Sequence, residues 1–150
     1  MNQISPLAYV HPDAKLGDNN VIGPFCFIDQ NTVMGDNNVL QSNVIINYGA
    51  RIGSGNEIFH GTSISTKPQD LKFRGEDTTC EIGDNNSIRE NATISRGTAS
   101  KGMTKVGSNN LLMENMHIAH DCVVGSNCII GNSTTVSYTH LRAHETGAYL

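Results

Sequence analysis

The residues best suited to acid–base chemistry are two histidines and an aspartate that lie close together in the chain. His117 and His120 are three positions apart, and Asp121 follows His120 directly. A neutral imidazole accepts a proton near neutral pH, and a neighbouring carboxylate can orient the ring. Solvated surface histidines would give the same short pattern, so its meaning depends on the elements that position these side chains.

A polar segment at residues 66–77 is a candidate for binding a substrate. It carries both signs of charge and includes Gln69, Asp70 and Lys72. Loops of this kind on a rigid scaffold often hold substrate contacts, although a solvated or subunit-bridging loop has the same composition. Farther along, Arg96 could meet an anionic group or pair with an acid across a subunit contact.

A six-residue repeat predicts the elements that would position these residues. Stepping by six from Ile4 to Val136, twenty of 23 positions are Ile, Leu, Val or Met, and the exceptions are positions 70, 76 and 100. A period of six is neither helical nor a simple alternation, and it is typical of the hexapeptide parallel β-helix. The sequence therefore predicts an all-β triangular prism in which three hexads make one coil.

Two loops must project from this prism. Corners of the Gly-Asp-Asn-Asn type or similar begin at Asp18, Asp36 and Ser54, each separated from the next by three hexads. The following corners begin at Asp84 and Ser108, and those two intervals are longer by two hexads and then by one. The excess predicts one loop near residues 66–79 and a second near 95–105. The broken positions of the hexad series fall in the same two stretches.

The fifth position of each hexad is predicted to be a small, inward one. It is often Asn, which we expect to stack as amide ladders along the core. The four cysteines, Cys26, Cys80, Cys122 and Cys128, all fall at this position. They are expected to be buried free thiols, with no disulfide framework and no metal site.

Composition excludes several other classes of protein. The net charge is −4, which argues against a nucleic-acid-binding surface, and the longest apolar runs are far shorter than a membrane-spanning helix. The chain has 17 Asn and 15 Gly, no Trp and few aromatic residues, as expected for many short strands joined by turns. Modest cysteine content and no visible signal peptide favour a cytoplasmic location.

The repeat and three longer motifs resemble the bacterial UDP-N-acetylglucosamine acyltransferases, a family of left-handed parallel β-helices. The motifs are Gln-Asp-Leu-Lys-Phe-Arg-Gly-Glu at 69–76, Ile-Arg-Glu-Asn-Ala-Thr-Ile at 88–94 with Arg-Gly-Thr at 96–98, and Asn-Leu-Leu-Met at 110–113 with His-Ile-Ala-His-Asp at 117–121. The resemblance covers about residues 3–135. It implies transfer of a 3-hydroxyacyl chain from acyl carrier protein to the 3-hydroxyl of UDP-N-acetylglucosamine, the first step of lipid A biosynthesis.

The resemblance also implies roles for individual residues. His120 would be the general base and Asp121 its support. The substrate would contact Asp70, Lys72, His117 and, more weakly, Gln69, in a cleft between subunits of a homotrimer. The resemblance implies no metal and no other cofactor.

The chain departs from the family pattern in its last residues and at two positions. Residues 1–135 are expected to form the repeat domain, and residues 136–150 a non-native tail, with a genuine capping segment as the alternative. The family's oxyanion-binding Gly would fall on Tyr138, and some members have a His where this chain has Ser95. We therefore expect the chain as written to be an inactive or poorly folded fragment of an active enzyme.

Three other functions are compatible with a prism of this kind. A γ-class carbonic anhydrase would use histidines to hold a metal, but His117 and His120 lack a third candidate ligand. A non-catalytic β-helix scaffold would leave the polar loop without a purpose. The related N-acyltransferase of the same pathway normally has an extra N-terminal domain, whereas the hexads here begin at Ile4.

Overall fold

A computed structural model of the chain describes residues 1–137 and the backbone of residues 140–141. In these ranges the protein consists of short β-strands joined by turns and loops, and it contains no helix. The strands are β1 (Gln3–Ile4), β2 (Tyr9–Val10), β3 (Lys15–Leu16), β4 (Val21–Ile22), β5 (Phe27–Ile28), β6 (Val33–Met34), β7 (Val39–Leu40), β8 (Ile45–Ile46), β9 (Ala50–Ile52), β10 (Glu57–Ile58), β11 (Ser63–Thr66), β12 (Thr79–Ile82), β13 (Ser87–Ile88), β14 (Thr93–Ser95), β15 (Met103–Val106), β16 (Leu111–Leu112), β17 (His117–Ile118), β18 (Val123–Val124), β19 (Ile129–Ile130), β20 (Thr135–Val136) and β21 (His140–Leu141).

Every third strand belongs to the same sheet, which makes a three-sided parallel β-helix. The first sheet contains β1, β4, β7, β10, β13, β16 and β19, the second contains β2, β5, β8, β11, β14, β17 and β20, and the third contains β3, β6, β9, β12, β15, β18 and β21. Strand pairing is parallel throughout, with Ile22 opposite Leu40 and Leu40 opposite Ile58 in the first sheet. The predicted left-handed hexapeptide-repeat prism is confirmed.

The aliphatic residue of each hexad points into the prism and forms its core. Side chains from Ile22 onward, such as Ile46 and Ile94, are fully buried, whereas Ile4 in the first coil is 43% exposed. Burying each such side chain contributes about 1.5–3 kcal/mol relative to leaving it in water. Because a coil can bury its core only against a neighbour, the first coil is less well covered than the rest.

The small inward positions form the predicted amide ladder. The side-chain oxygen of Asn38 accepts hydrogen bonds from the backbone N–H and the side-chain amide of Asn56, at 2.9 and 3.1 Å. The side-chain oxygen of Asn56 in turn accepts hydrogen bonds from the backbone N–H and the side-chain amide of Asn86, at 2.9 and 3.0 Å. The four cysteines are buried, as expected, and burial raises the pKa of Cys80 to about 12.

The turns between strands depend on left-handed backbone conformations. Within the described ranges, nine of the thirteen non-glycine residues with positive φ are Asn, the side chain that tolerates this region best. The residue two positions before it is often Gly, because adjacent coils touch there. A Cβ atom at Gly83 would lie 2.7 Å from the carbonyl oxygen of Gly107.

Both predicted loops are present, and both lie at the edge between the second and third sheets. Residues 67–78 connect β11 to β12, and residues 96–102 connect β14 to β15. The second loop is shorter than predicted because Lys105 already belongs to β15. The cross-strand pairing resumes after each loop, with Cys80 opposite Ala50 and Thr104 opposite Cys80.

The prism extends to the last residues that the structure describes. Val136 is buried in β20, and β21 pairs in parallel with β18. The predicted domain boundary at 135/136 stays a prediction, because residues 138–139 and 142–150, including Tyr138, lie outside the described residues. Within the ranges described, no helix has the length and apolar character needed to cross a membrane.

Candidate functional site

Three consecutive coils differ from the rest at one edge of the prism, between the second and third sheets. The first two carry the loops 67–78 and 96–102. The third makes a tight corner at residues 119–122, which contains His120 and Asp121. Because coils stack in register, the two loops and this corner lie one above the other, and residues far apart in sequence meet here.

His120 and Asp121 form a close pair at this corner. The Nδ1 atom of His120 is 2.8 Å from Oδ2 of Asp121, and the two side chains are 15% and 10% exposed. Asp121 has a φ of +65°, so it occupies the left-handed corner position that Asn fills elsewhere. The sequence left open whether Asp121 could reach His120, because adjacent strand residues point oppositely. The corner conformation allows it.

The second loop anchors the carboxylate of Asp121. The backbone N–H of Thr98 donates to Oδ1 at 2.9 Å, and the Thr98 hydroxyl donates to Oδ2 at 2.5 Å. Burial by itself raises the pKa of Asp121, but the hydrogen bonds from Thr98 and His120 outweigh it and hold that pKa below its ordinary value. Asp121 is therefore a carboxylate at neutral pH and can accept a hydrogen bond from the imidazole Nδ1–H.

A cavity of about 760 Å³ opens in front of this pair. The first loop, the second loop and the corner all contribute to it. Its lining residues are Gln69, Asp70, Leu71, Lys72, Phe73, Glu76, Thr98, Ala99, Ser100, Lys101, His120 and Asp121. This volume is within the usual range of small-molecule sites. The structure thus brings together five of the six site residues predicted from the sequence.

The first loop holds its polar groups through bonds within the loop. The carboxylate of Asp70 accepts the backbone N–H of Lys72 at 3.0 Å, and its carbonyl oxygen accepts the N–H of Phe73 at 3.0 Å. The Glu76 carboxylate accepts the N–H of Arg74 at 2.7 Å, which lowers the pKa of Glu76. These bonds make a compact turn that carries Asp70 and Lys72 into the cavity wall.

Arg96 attaches this loop to the prism. Its guanidinium carbon lies 5.0 Å from the ring centre of Tyr48 and 5.1 Å from that of Phe73. Phe73 is only 9% exposed and anchors the loop, whereas Leu71 in the same loop is 97% exposed. The sequence suggested an anion or an acid as the partner of Arg96. The structure gives it two aromatic faces, an arrangement worth about 0.5–2 kcal/mol for each face.

His117 takes a different position from the other candidates. It lies on β17, where its Nδ1 is 2.7 Å from the hydroxyl oxygen of Thr93 on the neighbouring coil. Burial, together with the nearby His120, lowers the pKa of His117, so the ring is neutral at physiological pH. Among the residues described, those lining the cavity do not include His117, and its contact with substrate stays a prediction.

The described part of the chain contains no group of three or more His, Cys, Asp or Glu placed to hold a metal ion. An imidazole with a buried carboxylate on Nδ1 is arranged for proton transfer at Nε2.

Sequence reasoning did not assign a function to Thr98, Ser100 or Lys101, which also line the cavity. Thr98 belongs to a motif that the sequence singled out, but its contact with Asp121 depends on how the second loop folds. The period of the repeat predicts where that loop leaves the prism and gives no information about its path.

Comparison with known proteins gives consistent matches. A family model described as bacterial transferase hexapeptide (six repeats) matches residues 103–137. The chain is 54% identical over 138 residues to the acyl-[acyl-carrier-protein]–UDP-N-acetylglucosamine O-acyltransferase of Aliarcobacter butzleri (strain RM4018). That alignment covers 91% of this chain and 53% of the other, so the chain spans about half the length of this curated relative.

Solved structures give the same result. The UDP-N-acetylglucosamine acyltransferase of Bacteroides fragilis 9343 is 60% identical with a TM-score of 0.88, over 92% of this chain and 53% of that one. The enzyme of the same name from Francisella novicida is 35% identical with a TM-score of 0.79, over 97% of this chain and 68% of that one.

Proposed function

The chain belongs to the UDP-N-acetylglucosamine acyltransferase family, and on this basis we propose that it carries the catalytic corner of an O-acyltransferase. The donor is the thioester of a 3-hydroxyacyl chain on acyl carrier protein, and the acceptor is the 3-hydroxyl of UDP-N-acetylglucosamine. This reaction is the first step of lipid A biosynthesis. The observation that carries the proposal is the His120–Asp121 pair, 2.8 Å apart, at a cavity lined by Gln69, Asp70 and Lys72.

The proposed reaction needs one general base. The Nδ1–H of His120 donates a hydrogen bond to Asp121, which places the basic lone pair on Nε2. Nε2 removes the proton of the sugar hydroxyl while that oxygen attacks the thioester carbonyl carbon. The C–S bond then breaks, and the imidazolium returns the proton to the leaving sulfur, so an ester and the thiol of the carrier protein are formed.

The carboxylate of Asp121 contributes in two ways. It keeps the imidazole in the tautomer that this reaction requires, and it stabilises the imidazolium that forms when the proton is taken up. General-base assistance of this kind is worth about 10²–10⁴-fold in rate. Because Asp121 is only 10% exposed, water weakens the interaction little.

The two loops supply the groups for binding the nucleotide sugar. Asp70 and Gln69 offer acceptors and an amide for the sugar hydroxyls and the N-acetyl group. The exposed ammonium groups of Lys72 and Lys101 suit the negatively charged diphosphate. This division leaves His120 facing the reacting oxygen and gives His117 the secondary, substrate-contacting role that the sequence predicted.

We propose a homotrimer as the assembly and the cytoplasm as the location. The outer face of the first sheet exposes Val21, Val39 and Ile129, at 37%, 36% and 50%. The same face also carries polar residues such as Glu57 and Ser87, and exposed apolar side chains on one face of a regular prism suit packing against further copies. The four buried cysteines are compatible with a reducing compartment.

The test is acyl transfer by the full-length gene product that contains these residues. It is incubated with 3-hydroxyacyl carrier protein and sugar-labelled UDP-N-acetylglucosamine, and the labelled acyl product is separated by chromatography. We expect product formation that is unchanged by prior dialysis against a chelator. Lack of product, or an activity that requires added zinc, would overturn the proposal and favour the metalloenzyme alternative.

A further inference from the structure

Thr98 is the residue that holds Asp121 in place. It comes from the 96–102 loop, 23 residues before Asp121 in sequence, and it is 6% exposed. Its backbone N–H and its hydroxyl donate to the two different oxygens of the carboxylate. This pair of donors fixes both the position and the plane of the Asp121 side chain.

A third contact shows that the Thr98 hydroxyl is the donor in its hydrogen bond with Asp121. The oxygen of Thr98 accepts a hydrogen bond from the backbone N–H of Ser100 at 3.2 Å. A hydroxyl that accepts in this way has its proton available for donation, and Oδ2 of Asp121 is the acceptor within reach. The same Oδ2 lies 2.8 Å from Nδ1 of His120. A chain of hydrogen bonds therefore connects Ser100, Thr98, Asp121 and His120, in that order.

The corner conformation explains why Asp121 needs such an anchor. Its backbone is left-handed, and its backbone N–H donates to the Thr104 hydroxyl at 2.9 Å, so the turn itself fixes the backbone of Asp121. The carboxylate itself would be free to rotate about its terminal bond. Donors from Thr98 on both oxygens leave one orientation, in which Oδ2 faces the imidazole.

We propose that Thr98 is a positioning residue for the general base: it orients the Asp121 carboxylate and through it sets the Nδ1–H tautomer of His120. The catalytic meaning of this role rests on the proposed acyltransferase function, whereas the hydrogen-bond chain itself does not. The lowered pKa of Asp121, held down against the effect of burial by the bonds from Thr98 and His120, supports this assignment.

Other charged groups surround the pair and have to be kept constant in any test. Asp70, Lys72 and Glu76 face it from the first loop, and Lys101 faces it from the second. His117 lies on the adjoining strand, close enough for the charge on His120 to affect it. None of these groups needs to be changed to remove the contribution of Thr98.

The test compares Thr98→Val with Thr98→Ser in the full-length gene product. Valine keeps the shape and the backbone N–H of Thr98 but loses the hydroxyl, and serine restores it. We expect Thr98→Val to lower kcat by about 10–100-fold, the usual range for a hydrogen bond to a charged group, with the KM for the nucleotide sugar within about twofold. Thr98→Ser should recover kcat to within about threefold of wild type.

Two further readouts separate positioning from a merely structural effect. Nitrogen-15 NMR of the His120 ring should show less Nδ1–H tautomer in Thr98→Val, and carbon-13 NMR should show a higher pKa for Asp121. In an Asp121→Asn background, Thr98→Val should change kcat by less than about twofold, because the carboxylate that it orients has been removed.

Thr32→Val is the matched control. Thr32 is also a buried threonine, 1% exposed, and its hydroxyl makes no hydrogen bond within the described structure. Thr32→Val should leave kcat, the His120 tautomer and the pKa of Asp121 unchanged. A Thr98→Val protein that keeps wild-type kcat and tautomer would overturn the inference. If wild type transfers no acyl chain, the proposed function fails, while the two NMR readouts still decide the role of Thr98.

Discussion

Two edges of the same prism are built from the same repeat and serve different purposes. At the edge between the third and first sheets, six successive corners are short and alike, and Asn20, Asn38, Asn56, Asn86 and Asn110 point inward as a hydrogen-bonded ladder. At the edge between the second and third sheets, two corners are replaced by loops and a third contains His120 and Asp121. The regular edge stabilises the prism, and the irregular edge carries the candidate site.

The same turn position has a structural role at one edge and a functional role at the other. Both edges use a residue with positive φ at the turn, for example Asn109 on the regular edge and Asp121 on the irregular one, at +59° and +65°. Asn at this position completes a turn. Asp fits the same backbone, but it brings a charge that can act on the preceding histidine. We therefore expect substitutions at the irregular edge to reduce catalysis and those at the regular edge to reduce stability.

The largest effect is expected at His120. His120→Gln in the full-length gene product should lower kcat/KM for acyl transfer by about 10²–10⁴-fold, because the proton acceptor is lost. The midpoint of thermal unfolding should change by no more than a few degrees. His60→Gln, at an exposed histidine away from the cavity, is the control and should keep full activity. Activity of His120→Gln within threefold of wild type would contradict the assignment.

The reverse behaviour is expected for the ladder on the regular edge. Asn56→Ala should lower the free energy of unfolding by about 2–4 kcal/mol, since the N–H of Asn86 and the carbonyl of Gly83 lose their buried partner. Chemical denaturation followed by circular dichroism measures this loss. Asn85→Gly, at an exposed turn position with φ of +56°, should cost less than about 1 kcal/mol. Equal losses in the two variants would argue against a ladder.

A smaller effect is expected where the first loop is attached. Arg96→Ala removes the cation that lies over Tyr48 and Phe73, which should cost about 1–3 kcal/mol locally. Amides of residues 67–78 should then exchange with deuterium about 5–100-fold faster, while those of β16 remain as in wild type. Arg89→Ala, which removes a similar contact with Phe59, is the control and should not affect this loop.

The smallest effect is expected in the pH dependence of the free energy of unfolding. Because the pKa of Asp121 is lower in the folded chain than in the unfolded one, its contribution to stability is fully present above about pH 4 and is lost as the pH falls through the folded value. Denaturation at several pH values between 2 and 6 gives the free energy of unfolding as a function of pH. This free energy should fall less steeply with decreasing pH in Asp121→Asn than in wild type. An unchanged slope would mean that the carboxylate gains no net stabilisation from Thr98 and His120.

The regular edge was fully predictable from the sequence. Asn20, Asn38 and Asn56 recur at intervals of three hexads, and a side chain at that spacing has to return to the same corner of the prism. The positions of both loops followed from the same count, since any extra residues must leave the prism. Periodic features are predictable because each one is specified many times over.

The irregular edge was predictable only in part. The site residues were identified from their types and from the family resemblance, but the contact of Thr98 with Asp121 depends on a non-repeating loop path. The corner position of Asp121 did carry a signal. It lies three residues after Ile118, as Asn19 lies three after Leu16 and Asn37 three after Met34. The correspondence is harder to recognise because this turn position is Asp at residue 121 and Asn at residues 19 and 37.

The most direct test of the account is a crystal structure of the full-length gene product with UDP-N-acetylglucosamine bound. We expect the sugar at the edge between the second and third sheets, with its 3-hydroxyl oxygen about 2.6–3.2 Å from Nε2 of His120 and Asp121 still on Nδ1. The diphosphate should lie near Lys72 or Lys101. A nucleotide sugar bound at another edge, or one whose hydroxyl groups all lie beyond reach of His120, would contradict the account.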